Sequence, residues 1–281
     1  LIGLAASSNI GSAATIIGNP QNMLLGQVGG LDFAGFSLYC IVPSLASLAA
    51  AFFILYFLYR DKFFEAGTSG TSGTSGASAA GKTRERRAAW PKYNEHQARK
   101  GIAIVVLLLI LFFTPLPREL SALALAGILL CSRSMHTRAI LGLVDWHLIT
   151  LFCGLFIVIA GLETTGLPNL LVNRLDQAGV NIHNLFNLTF LSSILSNIVS
   201  NVPATMLLVK FLEPTRPVQW YVVGLASTFA GNLITIGSIA NLIVIESAKE
   251  YGITLSFREH ARAGVPITIA SLVITLVWII I

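Results

Sequence analysis

Ile17-Gly18-Asn19-Pro20-Gln21-Asn22 and Ile236-Gly237-Ser238-Ile239-Ala240-Asn241 interrupt two apolar, membrane-length stretches of the chain with the same spacing of Gly and Asn. A polar break at bilayer depth leaves backbone N–H and C=O groups without partners. It survives only where neighbouring protein or a watery cavity satisfies them. The two breaks therefore predict unwound helices facing an interior site.

The remaining sequence agrees with a membrane setting. Of 281 residues, 54% are hydrophobic and only 11% charged, with a mean hydropathy of +0.76, which excludes an ordinary soluble domain. Strand-like alternation is absent, so the expected fold class is an all-α polytopic membrane protein. The predicted spans are 1–26 (broken), 38–59, 101–117, 119–132, 147–165, 218–248 (broken) and 263–281, with a re-entrant hairpin at 185–212. The hairpin is read from two apolar arms of about ten residues, too short to span, which flank Ser196-Asn197-Ile198-Val199-Ser200-Asn201.

Placing 61–100 in the cytoplasm puts fourteen of the eighteen Lys and Arg on that side and leaves Arg118, Arg174, Lys210 and Arg216 outside. The C-terminus then lies on the outer side. The same alternation runs the broken segments in opposite directions, so inverted-topology repeats are expected. Leu31-Asp32-Phe33 before a span with Val42-Pro43, and Leu255-Ser256-Phe257 before one with Val265-Pro266, extend the repeat. The domains are 1–60, the C-terminal part of a first repeat; 61–100, a flexible basic linker with a Gly-Thr-Ser triplet, Lys82–Arg87 and Trp90; and 101–281, the second repeat. No hairpin precedes the first break and no Met opens the chain, so the first repeat is expected to be incomplete here.

Chemistry rests on amides and hydroxyls. Asn9, Ser12, Thr15, Asn19 and Asn22 belong to the first break, Ser200 and Asn201 to the hairpin, and Asn232, Thr235, Ser238 and Asn241 to the second. An unpaired amide in hydrocarbon costs on the order of several kcal/mol, so this concentration calls for mutual partners, water or ligand. Small and polar residues also serve tight helix packing, but two breaks and a Ser-Asn hairpin together point to a cavity. Gly11, Gly18, Gly231 and Gly237 permit unwinding and close approach. Glu163 and Glu246 fall at span ends and Asp145-Trp146-His147 reads as an interfacial anchor, none of them a proton relay. Cys40, Cys131 and Cys153 read as small packing residues. No catalytic motif or catalytic residue is found, so an enzyme is not expected.

Ser8-Asn9-Ile10-Gly11 with the first break, Val144-Asp145-Trp146, Ser200-Asn201-Val202-Pro203 and the second break, in this order, resemble the ion transporter superfamily of arsenite permeases, citrate-type carriers, divalent anion/sodium symporters and a sodium/proton antiporter branch. The resemblance implies hairpin tips meeting unwound helices at two related sites. Ser200, Asn201, Gly231, Asn232, Thr235, Gly237, Ser238 and Asn241 would form the second, and Gly11, Thr15, Gly18, Asn19 and Asn22 the first. Na⁺ is a candidate coupling ion at Ser200, Asn201, Gly231 and Asn232. Asn19, where the antiporter branch carries an acidic residue, argues against proton exchange at that position. The expected function is secondary transport of a small inorganic or organic anion or oxyacid across the cytoplasmic (inner) membrane, coupled to Na⁺ or H⁺, by alternating access. An arsenite-type efflux permease, a channel and a non-transporting fragment are the alternatives. The lipid bilayer and a homodimer are expected partners, nucleic acid is not, and no cofactor is expected.

Overall fold

Helices stop and restart at the two breaks because the sequence supplies end signals there. Asn followed by Pro is a strong start, since Asn caps the freed N–H groups and Pro has no N–H to lose. In the computed structural model, which describes residues 1–68, 95–131, 138, 141–142, 144–250, 252–253 and 255–281, α1 (Ile2–Ser12) ends before the first break. The chain resumes as α2 (Pro20–Val28), capped by Asn19, whose Oδ1 accepts from Asn22 N at 2.8 Å. Then follow α3 (Phe33–Thr68), α4 (Glu95–Phe112), α5 (Arg118–Leu130), α6 (Trp146–Thr164), α7 (Leu167–Gln177), α8 (Leu185–Val199), α9 (Asn201–Val209) and α10 (Pro217–Ala230). After the second break come a 3₁₀ turn (Thr235–Gly237), α11 (Ile239–Glu250) and α12 (Phe257–Ile280). No strand occurs among the described residues.

Among the described residues, two helices, over Phe33–Arg60 and Phe257–Ile280, are long and apolar enough to cross a membrane; α6 and α7, bent by 62° at their junction, would make a third. Others are half-length, as expected of spans broken at mid-depth. The distribution of polarity is that of a membrane protein: Leu38, Phe52, Phe57, Ile157 and Val158 are exposed, whereas Ser192, Ser196, Ser227, Thr228, Ser271 and Thr275 are fully buried. The chain is an all-α polytopic membrane protein.

Two helices start upstream of the predicted position because of caps. Helix α3 starts at Phe33 rather than 38, where Asp32 Oδ2 accepts from Gly35 N at 2.6 Å. Helix α12 starts at Phe257 rather than 263, because Ser256 and Glu259 form a reciprocal capping box. Helical structure also reaches Thr68 and resumes at Glu95, inside the stretch read as linker. From Ser69 the triplet, along with Lys82–Arg87 and Trp90, lies outside the described residues.

The chain forms two compact units, Leu1–Arg60 with His147–Ile281, and Asp61–Trp146. In the second, α4 and α5 pack together through the turn at Phe113–Pro117. The first is built around α10, which is buried from Val222 to Ala230 without interruption. A helix apolar all round must be enclosed, and α10 is enclosed by α8, α9, α12, α1 and α2. Phe36, Tyr39, Tyr221 and Trp278 join α3, α10 and α12 through ring contacts of 5.2 to 5.8 Å. Cys40 is packed inside this unit, while Cys153 lies on its surface and Cys131 on that of the other unit, so the packing role read for all three holds for Cys40.

Candidate functional site: a cavity between two helix breaks and a hairpin turn

Each break is closed by its last Asn. Asn22 Nδ2 donates to the carbonyls of Thr15 (3.0 Å), Ser12 and Ala13 (both 3.4 Å); Asn241 Nδ2 donates to those of Gly231 (2.9 Å) and Ile234 (3.4 Å). Both side chains are wholly buried. The shift of 219 residues that separates Asn9 from Thr228 also carries Ser12 to Gly231, Thr15 to Ile234, Gly18 to Gly237, Asn19 to Ser238 and Asn22 to Asn241. The glycines keep the same company: a Cβ at Gly18 would lie 2.0 Å from Ser12 O, and one at Gly237 3.0 Å from Gly231 O.

The breaks also meet. Asn19 Nδ2 donates to Thr228 Oγ1 (3.2 Å), and Ser238 Oγ donates to Asn9 Oδ1 (2.9 Å). Under the same shift these two bonds exchange. At their junction Asn9 Nδ2 donates to Thr228 O (2.7 Å) and to Asn232 Oδ1 (3.1 Å). Gln21 Nε2 adds a bond to Thr228 Oγ1 at 3.1 Å.

The hairpin turn completes the site. Helices α8 and α9 pack on each other and are joined by Ser200 alone, at φ 75° and ψ 161°. That conformation suits glycine and costs another residue on the order of 1–3 kcal/mol. Beside it, Asn201 is buried against Gly231, whose missing side chain leaves room for the amide. In the orientation that satisfies both ends of the amide, Nδ2 donates to Gly237 O (2.9 Å), to Ser227 O (3.1 Å) and to Ser196 Oγ. Ser196 Oγ donates to Ser227 O at 2.9 Å, and Asn197 Nδ2 to Ala230 O at 3.1 Å. The carbonyls left open at the end of α10 are thus taken by side chains of the hairpin and α1.

Between these elements lies a cavity of about 200 Å³. Ser8, Asn9, Ser12, Gly18, Asn19 and Gln21 line it from the first break, Ser200 and Asn201 from the hairpin, and Ser238 from the second. No charged side chain is among its lining residues. Pro20, Asn201 with Val202, and Ala240 belong to the first turns of α2, α9 and α11, so three helix N-termini, each with partial positive charge, border one space.

Of the residues singled out from sequence, Asn9, Ser12, Gly18, Asn19, Ser200, Asn201 and Ser238 line this cavity. Gly231, Asn232, Gly237, Asn22 and Asn241 stand behind it as scaffold. Thr15 and Thr235 are half-buried outside it, and Gly11 lies exposed within α1 with open space where a Cβ would go. Ser8, Gln21, Thr228, Ser196 and His260 were not singled out. Thr228 could have been found as the 219-shift partner of Asn9; a buried His in the first turn of a span gave no periodic signal. Glu163 pairs with Lys210, joining the ends of α6 and α9, and Glu246 is exposed.

The sequence profile of the citrate transporter family matches residues 1–230. A 46 kDa membrane protein of Mycobacterium leprae is 28% identical over 97% of this chain and 65% of its own length. A silicon efflux transporter of Oryza sativa subsp. japonica is 27% identical over 96% of this chain and 67% of its own. A putative transporter, arsB, of Dictyostelium discoideum is 33% identical over 61% of this chain and 31% of its own. The chain spans about two thirds of the length of the curated mycobacterial relatives, 65%. With the profile covering more than half its residues, the chain belongs to the citrate transporter family.

Proposed function

We propose that this chain is part of a secondary transporter that moves a small anion or oxyacid across the cytoplasmic membrane, coupled to Na⁺ or H⁺, by alternating access. The observation that carries the reading is the cavity: uncharged, lined by hydroxyls and amides, and bordered by three helix N-termini. Such a site stabilises negative charge through dipoles and hydrogen bonds. It favours a neutral hydroxylated acid, a singly charged anion, or a higher anion accompanied by cations. At about 200 Å³ it is smaller than the ~300–1,000 Å³ of pockets for drug-sized ligands, which favours inorganic species.

The reciprocal bonds Asn19–Thr228 and Ser238–Asn9 support an inverted repeat, because a two-fold relation makes each contact occur twice with the partners exchanged. The Lys/Arg distribution supports a cytoplasmic 61–100 and an outward C-terminus. For Na⁺, support comes from Asn201: turning its amide would place Oδ1 beside Gly237 O, Ser227 O and Ser196 Oγ, an all-oxygen set of the kind hard cations take. An arsenite-type efflux permease is a second reading, favoured by the uncharged cavity and by relatives named as an arsB transporter and a silicon efflux transporter.

Tracer flux into proteoliposomes of the full-length protein tests this, with arsenite, phosphate, sulfate and dicarboxylates offered under Na⁺ or proton gradients. Gradient-driven, saturable flux abolished in Asn201→Ala and reduced at least tenfold in Asn232→Ala is expected. Non-saturating current that follows voltage would make the protein a channel, and no flux of any probe by folded protein would reject the carrier reading.

A further inference from the structure

Among the described residues, His260 is the one Asp, Glu, Lys, Arg or His side chain that is fully buried, at 3% exposure. It does not line the cavity. The capping box at Ser256 sets the phase of α12 so that His260 shares a face with Ala263, Gly264, Ile267 and Thr268, the buried stripe of that helix. Its Nε2 lies 3.1 Å from the carbonyl oxygen of Asn232, in the second break. A carbonyl only accepts, so this nitrogen carries the proton and donates.

One turn on, Gly264 makes the other wall of the same seat. A Cβ there would lie 2.3 Å from Asn232 O and 3.2 Å from His260 Nε2. The carbonyl therefore rests in a notch of α12, with room provided by Gly264 and a donor by His260. The Asn232 side chain in turn accepts Asn9 Nδ2, and Asn9 accepts Ser238 Oγ at the cavity wall. The first break has no such seat: the 219 shift carries Asn232 to Ala13, and counting back from Pro43 as from Pro266 puts Ser37 and Ile41 where His260 and Gly264 stand.

We infer that His260 is a positioning residue: by holding the Asn232 carbonyl in the Gly264 notch it fixes the Asn232–Asn9–Ser238 chain, and so ties the last span to one wall of the cavity. The inference rests on that cavity being the transport site. It makes the second break the one whose shape α12 controls.

Hydrogen–deuterium exchange of the full-length protein in lipid nanodiscs, with no ligand added, tests it. In His260→Leu, which loses the donor, and in Gly264→Ala, which fills the notch, amides of 231–238 and of the Asn9 end of α1 should exchange at least tenfold faster. His260→Gln, whose amide can still donate to the carbonyl, should stay within about threefold of the parent at both places. Equal exchange in all four proteins would overturn the inference, as would a Gln variant as loose as the Leu variant, or loosening confined to 231–238 with α1 unchanged. Should His260→Leu not fold, Gly264→Ala against His260→Gln carries the same contrast. Because no flux is read, loss of transport with the exchange pattern intact would reject the carrier reading alone, and flux with an unchanged pattern would reject the role of His260 alone.

Discussion

The two breaks share a frame and differ in what surrounds it. In both, a terminal Asn ties up carbonyls, a Gly passes against the backbone of the helix end, and a capping side chain reaches across to the other break. Around the second, the hairpin donors Ser196, Asn197 and Asn201 cover carbonyls of α10 and the turn, and His260 of α12 covers Asn232. Among the described residues, the carbonyls of the first accept from Asn22 of the same break. Within these residues, the second break thus accepts donors from three other helices, and the first is closed by its own Asn22.

That contrast is sharpest at the glycines. Gly18→Ala would place a Cβ 2.0 Å from Ser12 O, a backbone atom that cannot swing aside, whereas Gly237→Ala meets Gly231 O at 3.0 Å. Overpacking of a tight site costs about 1–3 kcal/mol and more where backbone must shift. Gly18→Ala is expected to lose more than about 3 kcal/mol or to yield no monodisperse protein, and Gly237→Ala to lose about 1–2 kcal/mol, read from thermal unfolding in detergent. An equal loss at both positions would break the distinction between the copies.

Next come the amides that close each break. Asn22→Ala leaves the Ser12, Ala13 and Thr15 carbonyls without their donor, and a buried polar group so stranded costs about 1–3 kcal/mol. Asn241→Ala strands Gly231 O and Ile234 O within a region that keeps its other donors. The expected order is a loss of about 3 kcal/mol for Asn22→Ala and about 1.5 kcal/mol for Asn241→Ala by the same unfolding measurement. The reverse order would show that the hairpin and α12 add no support to the second break.

Much of this was legible in the sequence, for reasons particular to the residues. Gly-Asn-Pro and Gly-Ser inside apolar stretches can hardly be read as continuous helix, and Ser200-Asn201 between two short apolar arms marks a turn. The division of labour within the site was not legible. Asn22 and Asn241 look like ligands in a one-dimensional list, yet their amides turn back on the local backbone, because the nearest unpaired acceptors are the carbonyls the break itself creates. Gln21, inside the first break but given no role there, reaches Thr228 on another helix. His260 stays hidden for a related cause: the carbonyl it serves is 28 residues away, and only the packing of α12 on α10 brings the two together.

The finest test of the comparison concerns the contacts that should be equal. Asn19–Thr228 and Ser238–Asn9 exchange under the 219-residue shift, with lengths of 3.2 and 2.9 Å, so bonds matched in this way should contribute similarly despite their unequal surroundings. Interhelical hydrogen bonds in membranes are worth about 0.6 kcal/mol on average and up to about 1.7. Double-mutant cycles of Asn19→Ala with Thr228→Val, and of Asn9→Ala with Ser238→Ala, isolate each pairwise coupling from the other bonds these side chains make. Coupling energies of about 0.5–1.5 kcal/mol that agree within about 0.5 kcal/mol are expected. A coupling confined to Asn9 and Ser238 would instead mean that the buttresses of the second break reach as far as the bond between copies. Symmetry of sequence would then persist where symmetry of energy had been lost.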